Sequence, residues 1–256
     1  MRLDKAVFIR GLVQSRSRAS LLIAENSVTV NGKIISKPSF DVNDEDSIEV
    51  TDSIGYVGRG GLKLETALKE FSVDVIEKSA IDIGASTGGF TQCLLRNGAK
   101  HVVAVDVGHG QMHESLVKDE RVTLIENFNA KNLSVDIIAG KKDIAVMDVS
   151  FISQTEIFSA MFSLIKDDGC AITLVKPQFE AGSKFLNKKG IIKDKKVYRT
   201  VLEKIQQSAL IYGFNVENAC VSPILGGDGN IEFLFCFKKG DKEFNFTEIL
   251  SKVLKG

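Results

Sequence analysis

Residues 81–90 read Ile-Asp-Ile-Gly-Ala-Ser-Thr-Gly-Gly-Phe, and their spacing decides the class of fold. The strand-like run Ala80–Ile83 stops at Gly84, and a helical pattern opens near Phe90. A strand that breaks at small residues and restarts as a helix is the first turn of an open α/β sheet. Such sheets bind ligands outside the carboxyl ends of their strands. The glycines then choose among ligands. Gly84, Gly88 and Gly89 are present, but Ser86 stands where a dinucleotide fold needs its middle glycine, so pyrophosphate binding is disfavoured. No Gly-x-x-x-x-Gly-Lys-Ser/Thr run occurs, which argues against an ATP phosphate loop.

Downstream, His101–Asp106, Val122–Glu126, Ile144–Asp148 and Ala171–Val175 are strand-like, and helical patterns separate most of them. That alternation predicts a parallel sheet with right-handed crossovers. Val216–Val221 and Ile231–Phe237, divided by a Pro/Gly turn region, are expected as an antiparallel addition. Asp106 ends the second strand, 18 residues beyond Gly88. An acid there can accept hydrogen bonds from both hydroxyls of an adenosyl ribose, whether of NAD or S-adenosylmethionine, or can simply cap a loop. Upstream, Leu62, Leu64, Leu68 and Phe71 predict an amphipathic helix, and 53–61 reads as a glycine-rich linker.

The first fifty residues have another character. Leu3, Ala6, Val7, Leu12 and Val13 recur at near-helical spacing. Ser15 or Ser17 can cap a second helix that buries Ala19, Leu22 and Ile23. Val28–Val30 and Lys33–Ile35 flank Asn31-Gly32, the pair a two-residue hairpin turn prefers, and Ile48–Val50 is a third short strand. Two helices and a small sheet form a domain over 1–52, with a larger domain over 62–256.

The formal net charge of the 256 residues is zero, yet charge is segregated. Up to Lys37 there are seven basic residues (Arg2, Lys5, Arg10, Arg16, Arg18, Lys33, Lys37) against Asp4 and Glu25, whereas Pro38–Asp52 holds six acids and no base. A basic patch suits a phosphate-binding face, although a solvated helix pair is the plainer reading. A second stretch, Ser183–Arg199, sets Lys184, Lys188, Lys189, Lys193, Lys195, Lys196 and Arg199 against Asp194 alone. It follows Lys176 and is expected beside the ligand end of the sheet, as an RNA clamp or as a solvated helix start. With 44% hydrophobic residues the chain can build a true core. Cys93, Cys170, Cys220 and Cys236 are too scattered for a zinc site or a disulfide framework. His109 and His113 could share a helix face, but no further ligand is spaced for zinc, so no metal is expected. Without an apolar leader or a run of roughly 18 apolar residues, the expected location is the cytoplasm, with no membrane association.

The run from Arg2 to Val50 resembles an S4 domain. It carries Arg2-Leu3-Asp4, then Ser15-Arg16-x-x-Ala19-x-x-Leu22-Ile23, Val28-x-Val-Asn-Gly, Lys37-Pro-Ser, and Asp46-x-Ile-x-Val. That resemblance implies RNA binding, and Arg16 and Arg18 at the mouth of the second helix suit phosphate. Essentially end to end, the chain is similar to the TlyA family of ribosomal RNA 2′-O-methyltransferases, whose catalytic domain is of the FtsJ type. The motifs that carry this are YVGRGGLKLETAL, DIGASTGGFTQCLL, VVAVDVGHGQ, MDVSFIS, LVKPQFEAG and GDGNIEFL, in that order. The implied architecture is a Rossmann-like class I methyltransferase of the α/β class behind a small α+β S4 domain. Members have also been called hemolysins, a label this sequence does nothing to support. Tyr56 stands where relatives would carry Trp, and Ile54 where they often carry Arg, which bears on signalling through the linker. Compactness beyond both domains resembles shorter members, expected to modify fewer ribosomal sites.

The resemblance also assigns residues. FtsJ-like enzymes use a Lys-Asp-Lys-Glu set, which falls on Lys63, Asp148, Lys176 and Glu232 by local motif. A ribose 2′-hydroxyl is a poor nucleophile, so the enzyme must align it with the methyl donor and remove its proton. Lys176, beside a second cation in Lys63, is expected as base, with Asp148 and Glu232 orienting the ammonium groups and the ribose. S-adenosylmethionine is the expected cofactor, on Gly84, Ala85, Ser86, Gly88, Gly89, Phe90, Asp106, Val107, Asn127 and Asp148. The expected partner is ribosomal RNA or a ribosomal subunit, met by a monomer through Arg2, Lys5, Arg16, Arg18, Lys33, Lys37, Arg59, Lys188 and Lys189. The implied reaction is methylation of a cytidine 2′-oxygen. A non-catalytic assembly factor that keeps the fold is the alternative, and a secreted cytolysin a third.

Overall fold

The computed structural model describes residues 1–256 apart from Gln14, Glu25, Thr51–Ile54, Lys193, Asp228, Asp241–Glu243 and Gly256, and apart from the side chain of Leu21. Ile54 of the expected linker, Lys193 of the basic stretch, and Glu25 and Asp52 of the charge pattern therefore lie outside the described residues. The chain forms two compact units, Met1–Arg59 and Gly60–Gly256.

In the first unit α1 (Leu3–Ile9) and α2 (Arg16–Ala24) pack on a small antiparallel sheet of order β2-β1-β3, formed by β1 (Val28–Val30), β2 (Lys33–Ile34) and β3 (Ile48–Val50). Leu3, Val7, Ala19, Ile23 and Val28 are wholly buried and form its core. The hairpin closes as its residues demand. Val30 pairs Lys33, and Asn31 and Gly32 take φ of 51° and 75°, the left-handed values a type I′ turn requires. Ser15 is the cap of α2, accepting a bond from Arg18 N–H at 3.1 Å, while Ser17 lies inside the helix. The first helix stops at Ile9 rather than running to Val13. Gly11 turns left-handed, and Arg10 leaves the helix to bond the backbone carbonyls of Asn43, Asp44 and Asp46.

The second unit is built on a seven-stranded sheet of order β6-β5-β4-β7-β8-β10-β9. Its strands are β4 (Ser79–Ile83), β5 (His101–Val105), β6 (Val122–Ile125), β7 (Lys142–Met147), β8 (Ile165–Val175), β9 (Phe214–Val221) and β10 (Phe233–Lys239). The first five are parallel, and β10 and β9 add antiparallel at one edge. The order reverses beside β4, so a crevice opens outside the carboxyl ends of β4 and β7.

Helices α3 (Gly60–Glu70), α4 (Gly89–Arg96), α6 (Phe158–Ser163), α8 (Lys196–Leu210) and α9 (Phe246–Lys255) accompany the sheet, with two single turns, α5 (Glu114–Val117) and α7 (Pro177–Glu180). Phe158, Phe214, Phe235 and Phe237 anchor the core, with Phe162 stacked on Phe214 at 4.0 Å between centroids. β8 begins at Ile165, well before the expected Ala171, because Lys166–Asp168 are exposed and break the apolar run that marks the rest. β10 begins at Phe233 rather than Ile231. His109 and His113 share no helix. His113 caps α5, and His109 precedes it, its Nδ1 lying 2.8 Å from Glu126 Oε2. No helix among the described residues is long and apolar enough to cross a membrane.

Candidate active site

Strand register brings the reactive side chains together. β4 and β7 run parallel with Ile83 beside Met147, so the next residue, Asp148, emerges at the mouth of the crevice and donates its N–H to Ile83 O at 3.0 Å. β10 meets β8 antiparallel with Phe233 against Val175. One step further along each strand this register sets Glu232 opposite Lys176. Lys63 comes from α3, whose apolar face of Leu64, Ala67 and Leu68 is buried and packs against α4 and β10. Burying that face turns Lys63 inward as well, so that its residue is only 8% exposed.

The four side chains form two ion pairs. Lys63 Nζ lies 2.6 Å from Glu232 Oε2, and Lys176 Nζ lies 2.6 Å from Asp148 Oδ1. Ser150 Oγ also accepts from Lys176 Nζ, at 2.8 Å. Burial pushes the Asp148 carboxyl upward, but the charges of Lys176 and then Lys63 outweigh it and hold the group below its ordinary range. Because both lysines act on one carboxylate, the pairs behave as a single cluster. Lys176 therefore carries its amine at the end of a strand, largely out of water and held by a carboxylate.

Beside the cluster lies a cavity of about 480 Å³. Gly84, Ser86, Asp106, Val107 and Asp148 line it, whereas Ala85, Gly88, Gly89, Phe90 and Asn127 lie outside the lining. Ala85 and Phe90 are buried, and Gly88 is the residue before α4. Gly84 takes a φ of +83°, and a Cβ there would stand 2.4 Å from Asp148 O. The closeness of the two strand ends therefore depends on that glycine. Asp106 accepts from the Ser86 N–H and the Gly108 N–H, each at 2.7 Å, one on each oxygen, and so ties the two rims together. Each oxygen keeps a lone pair for a ligand hydroxyl.

A third carboxylate, Asp82, is completely buried behind the loop. It accepts from Thr91 Oγ1 at 2.6 Å while its other oxygen has no partner. Burial, with the nearby Asp148 and Asp106, pushes it up to about 7.

The structure adds residues that the sequence reading missed. Gln111, Phe128, Asn129 and the segment Ser150–Ile152 also line the cavity. Phe151 is 92% exposed with a φ of +65°, and its ring lies 5.1 Å from that of Phe179. A large apolar ring is thus held at the rim of the cavity on a left-handed backbone. The motif MDVSFIS was visible in the sequence, but nothing in it says that Phe151 points outward.

The basic candidates are placed separately. Asp4, with its side chain 3% exposed, is gripped by Arg2 and Arg16, each at 3.0 Å. Arg18 bonds the Val57 carbonyl, and Arg59 is half-buried. Lys5, Lys33, Lys37, Lys188 and Lys189 are exposed. Among the described residues no group of three or more His, Cys, Asp or Glu is arranged to hold a metal.

The family model of FtsJ-like methyltransferases matches residues 56–239, and that of the S4 domain matches residues 1–48. Hemolysin A of Brachyspira hyodysenteriae is 43% identical over 238 residues, 93% of this chain and 99% of that protein. The 16S/23S rRNA (cytidine-2'-O)-methyltransferase TlyA of Mycobacterium tuberculosis is 38% identical over 234 residues, 91% of this chain and 87% of that one. A solved structure described as "Putative hemolysin from Streptococcus thermophilus" superposes with a TM-score of 0.77 at 39% identity, covering 100% of this chain and 96% of the other.

Proposed function

The chain belongs to the FtsJ-like methyltransferases, with an S4 domain ahead of the catalytic unit, and on that premise we propose that it methylates the 2′-oxygen of a cytidine in ribosomal RNA, in the cytoplasm, using S-adenosylmethionine. The observation that carries this reading is the pairing of Lys63 with Glu232 and Lys176 with Asp148 beside a cavity lined by Gly84, Asp106 and Val107.

The residues present fit that cofactor. Asp106 and Asp148 bring two carboxylates to the strand ends, which suits a sulfonium cation and repels a pyrophosphate. Asp106 is placed for the ribose hydroxyls, and the apolar wall that includes Val107, Phe128 and Ile157 is placed for the adenine. When bound, the cofactor supplies an electrophilic methyl group.

The protein's own groups do the rest. Lys176 Nζ accepts the proton of the ribose hydroxyl, and Asp148 and Ser150 fix the direction from which it does so. Only the neutral amine can take that proton, and the cation arriving beside the cluster opposes a second and third positive charge there. Lys63, held by Glu232, orients the hydroxyl from the other side. Phe151 offers its exposed face to the target nucleobase, held out of its stack. The S4 unit, with Arg2, Lys5, Arg16, Arg18, Lys33 and Lys37, holds the phosphate backbone.

The test is transfer of radiolabelled methyl from S-adenosylmethionine to ribosomal subunits that lack the modification, with Lys176→Ala as control. Alkali-resistant labelled dinucleotide with wild type and none with the variant is the expected result. Wild type that binds cofactor and RNA but labels no subunit overturns the reading in favour of a non-catalytic assembly factor.

A further inference from the structure

The basic stretch after β8 contains a small prefolded hairpin. Leu186 bridges Ile192, Asn187 N donates to Ile191 O at 2.8 Å, and Gly190 N donates to Asn187 O at 3.0 Å. The Asn187 side chain completes the turn, its Oδ1 accepting from Lys189 N at 2.7 Å and from Ile191 N at 3.1 Å. Lys188 and Lys189 stand exposed at the tip, so the backbone that presents them is satisfied before any ligand arrives.

What ties the hairpin down is Asn230. This residue is wholly buried, and both ends of its amide are used by the hairpin. Oδ1 accepts from Ile192 N at 3.1 Å, and Nδ2 donates to Gly190 O at 3.0 Å. Ile191 also reaches back toward Gly229. Asn230 lies two residues before Glu232, whose carboxylate holds Lys63. A single short segment therefore carries both an active-site carboxylate and the anchor of a lysine-tipped loop. A buried amide that meets two backbone groups is an expensive feature to keep unless the geometry it enforces is used.

We propose that hairpin Leu186–Ile192 is a rigid finger for RNA phosphates beside the target nucleotide, and that Asn230 is the positioning residue that registers it against Glu232. This inference rests on the RNA methyltransferase reading above. Ammonium groups on a fixed finger hold the strand at a set reach from the lysine pair, whereas the same lysines on a loose loop give only non-specific attraction.

The experiment measures binding of unmodified ribosomal RNA to the full chain as a function of salt, alongside S-adenosylmethionine affinity and melting temperature. Lys188→Ala/Lys189→Ala is expected to weaken RNA binding and to lower the slope of log affinity against log salt by about 1.5, the release of roughly two phosphate contacts. Asn230→Ala is expected to reproduce most of that loss with cofactor affinity within twofold of wild type, and to add little when combined with the lysine pair. Asn187→Ala, exposed and therefore safe for folding, is expected to do the same if Asn230→Ala proves unstable. Losses that simply add overturn the positioning role. A wild-type slope in the lysine variant, with wild-type protein methylating normally, overturns the finger alone. Wild-type protein that fails to bind the RNA overturns both the finger and the parent reading.

Discussion

Carboxylates hold cations at 2.6–3.0 Å at two sites in this molecule, and the sites differ in which cation is held and how far it is withdrawn from water. In the N-terminal unit Asp4 is gripped by Arg2 and Arg16, whose side chains each remain 51% exposed. In the catalytic unit Asp148 holds Lys176 and Glu232 holds Lys63, and those lysines are only 13% and 10% exposed. Arginine keeps its charge at any working pH and leaves the outer edge of its guanidinium free for phosphate. Lysine is the cation that can surrender a proton when taken from water, and it is the one drawn inside. The carboxylate is common to both sites, so the contrast rests on the identity and burial of the cation.

The largest effect should come from exchanging the cations. Lys176→Arg preserves charge and the Asp148 contact but removes any group able to take a proton. Turnover should fall by roughly 10²–10⁴-fold, with cofactor affinity within a few-fold. The reciprocal Arg16→Lys, measured on RNA affinity, should cost only a few-fold and leave turnover at saturating RNA unchanged. Full turnover in Lys176→Arg would mean that the buried lysines serve only as charges, and the contrast would collapse.

The next effect concerns acid. Burial raises the Asp4 carboxyl, but its hydrogen bonds to Arg2 and Arg16 more than offset this and hold it below its ordinary value of 3.8. A lowered folded value gives stability that is present above the unfolded value and lost as pH falls through the folded one. Melting curves of wild type and Asp4→Asn should therefore differ at neutral pH and converge in acid. Curves that run parallel down to pH 2 would show that the pair adds nothing to folding.

The smallest effect carries the opposite sign. Asp82 is raised from 3.8 to about 7, chiefly by burial. Between those values the folded chain binds a proton that the unfolded chain has lost, so this group's contribution to stability declines as pH climbs from about 4 to about 7. Asp82→Asn should flatten that decline in chemical denaturation. An unchanged pH profile would remove Asp82 from the electrostatics of the cofactor loop.

Much of the fold was legible because its signals are local. The loop after β4, the left-handed hairpin at Asn31-Gly32 and the parallel strands each announce themselves within ten residues. The start of β8 did not, because three exposed polar residues conceal the first third of a long strand. Nor did the end of α1 at Ile9, where Gly11 turns left-handed and the Gly11 and Leu12 N–H groups return to Phe8 O and Val7 O, a stop that apolar periodicity does not register. In the candidate site the motifs pointed to Lys63, Asp148, Lys176 and Glu232, whereas Phe151, Gln111 and the anchoring amide of Asn230 passed unnoticed.

The division follows from physics. By itself the sequence determined the element types, the glycine at the strand turn and the family, because those depend on dihedral preference, periodicity and motif order along the chain. Only the tertiary structure decided which lysine meets which carboxylate, how far each cation is withdrawn from water, and what fastens the basic hairpin. Lys63 and Glu232 are 169 positions apart and Asn230 and Gly190 are 40 apart. Their contacts are set by the register of β10 on β8 and the seating of α3, which are properties of packing rather than of any local run of residues.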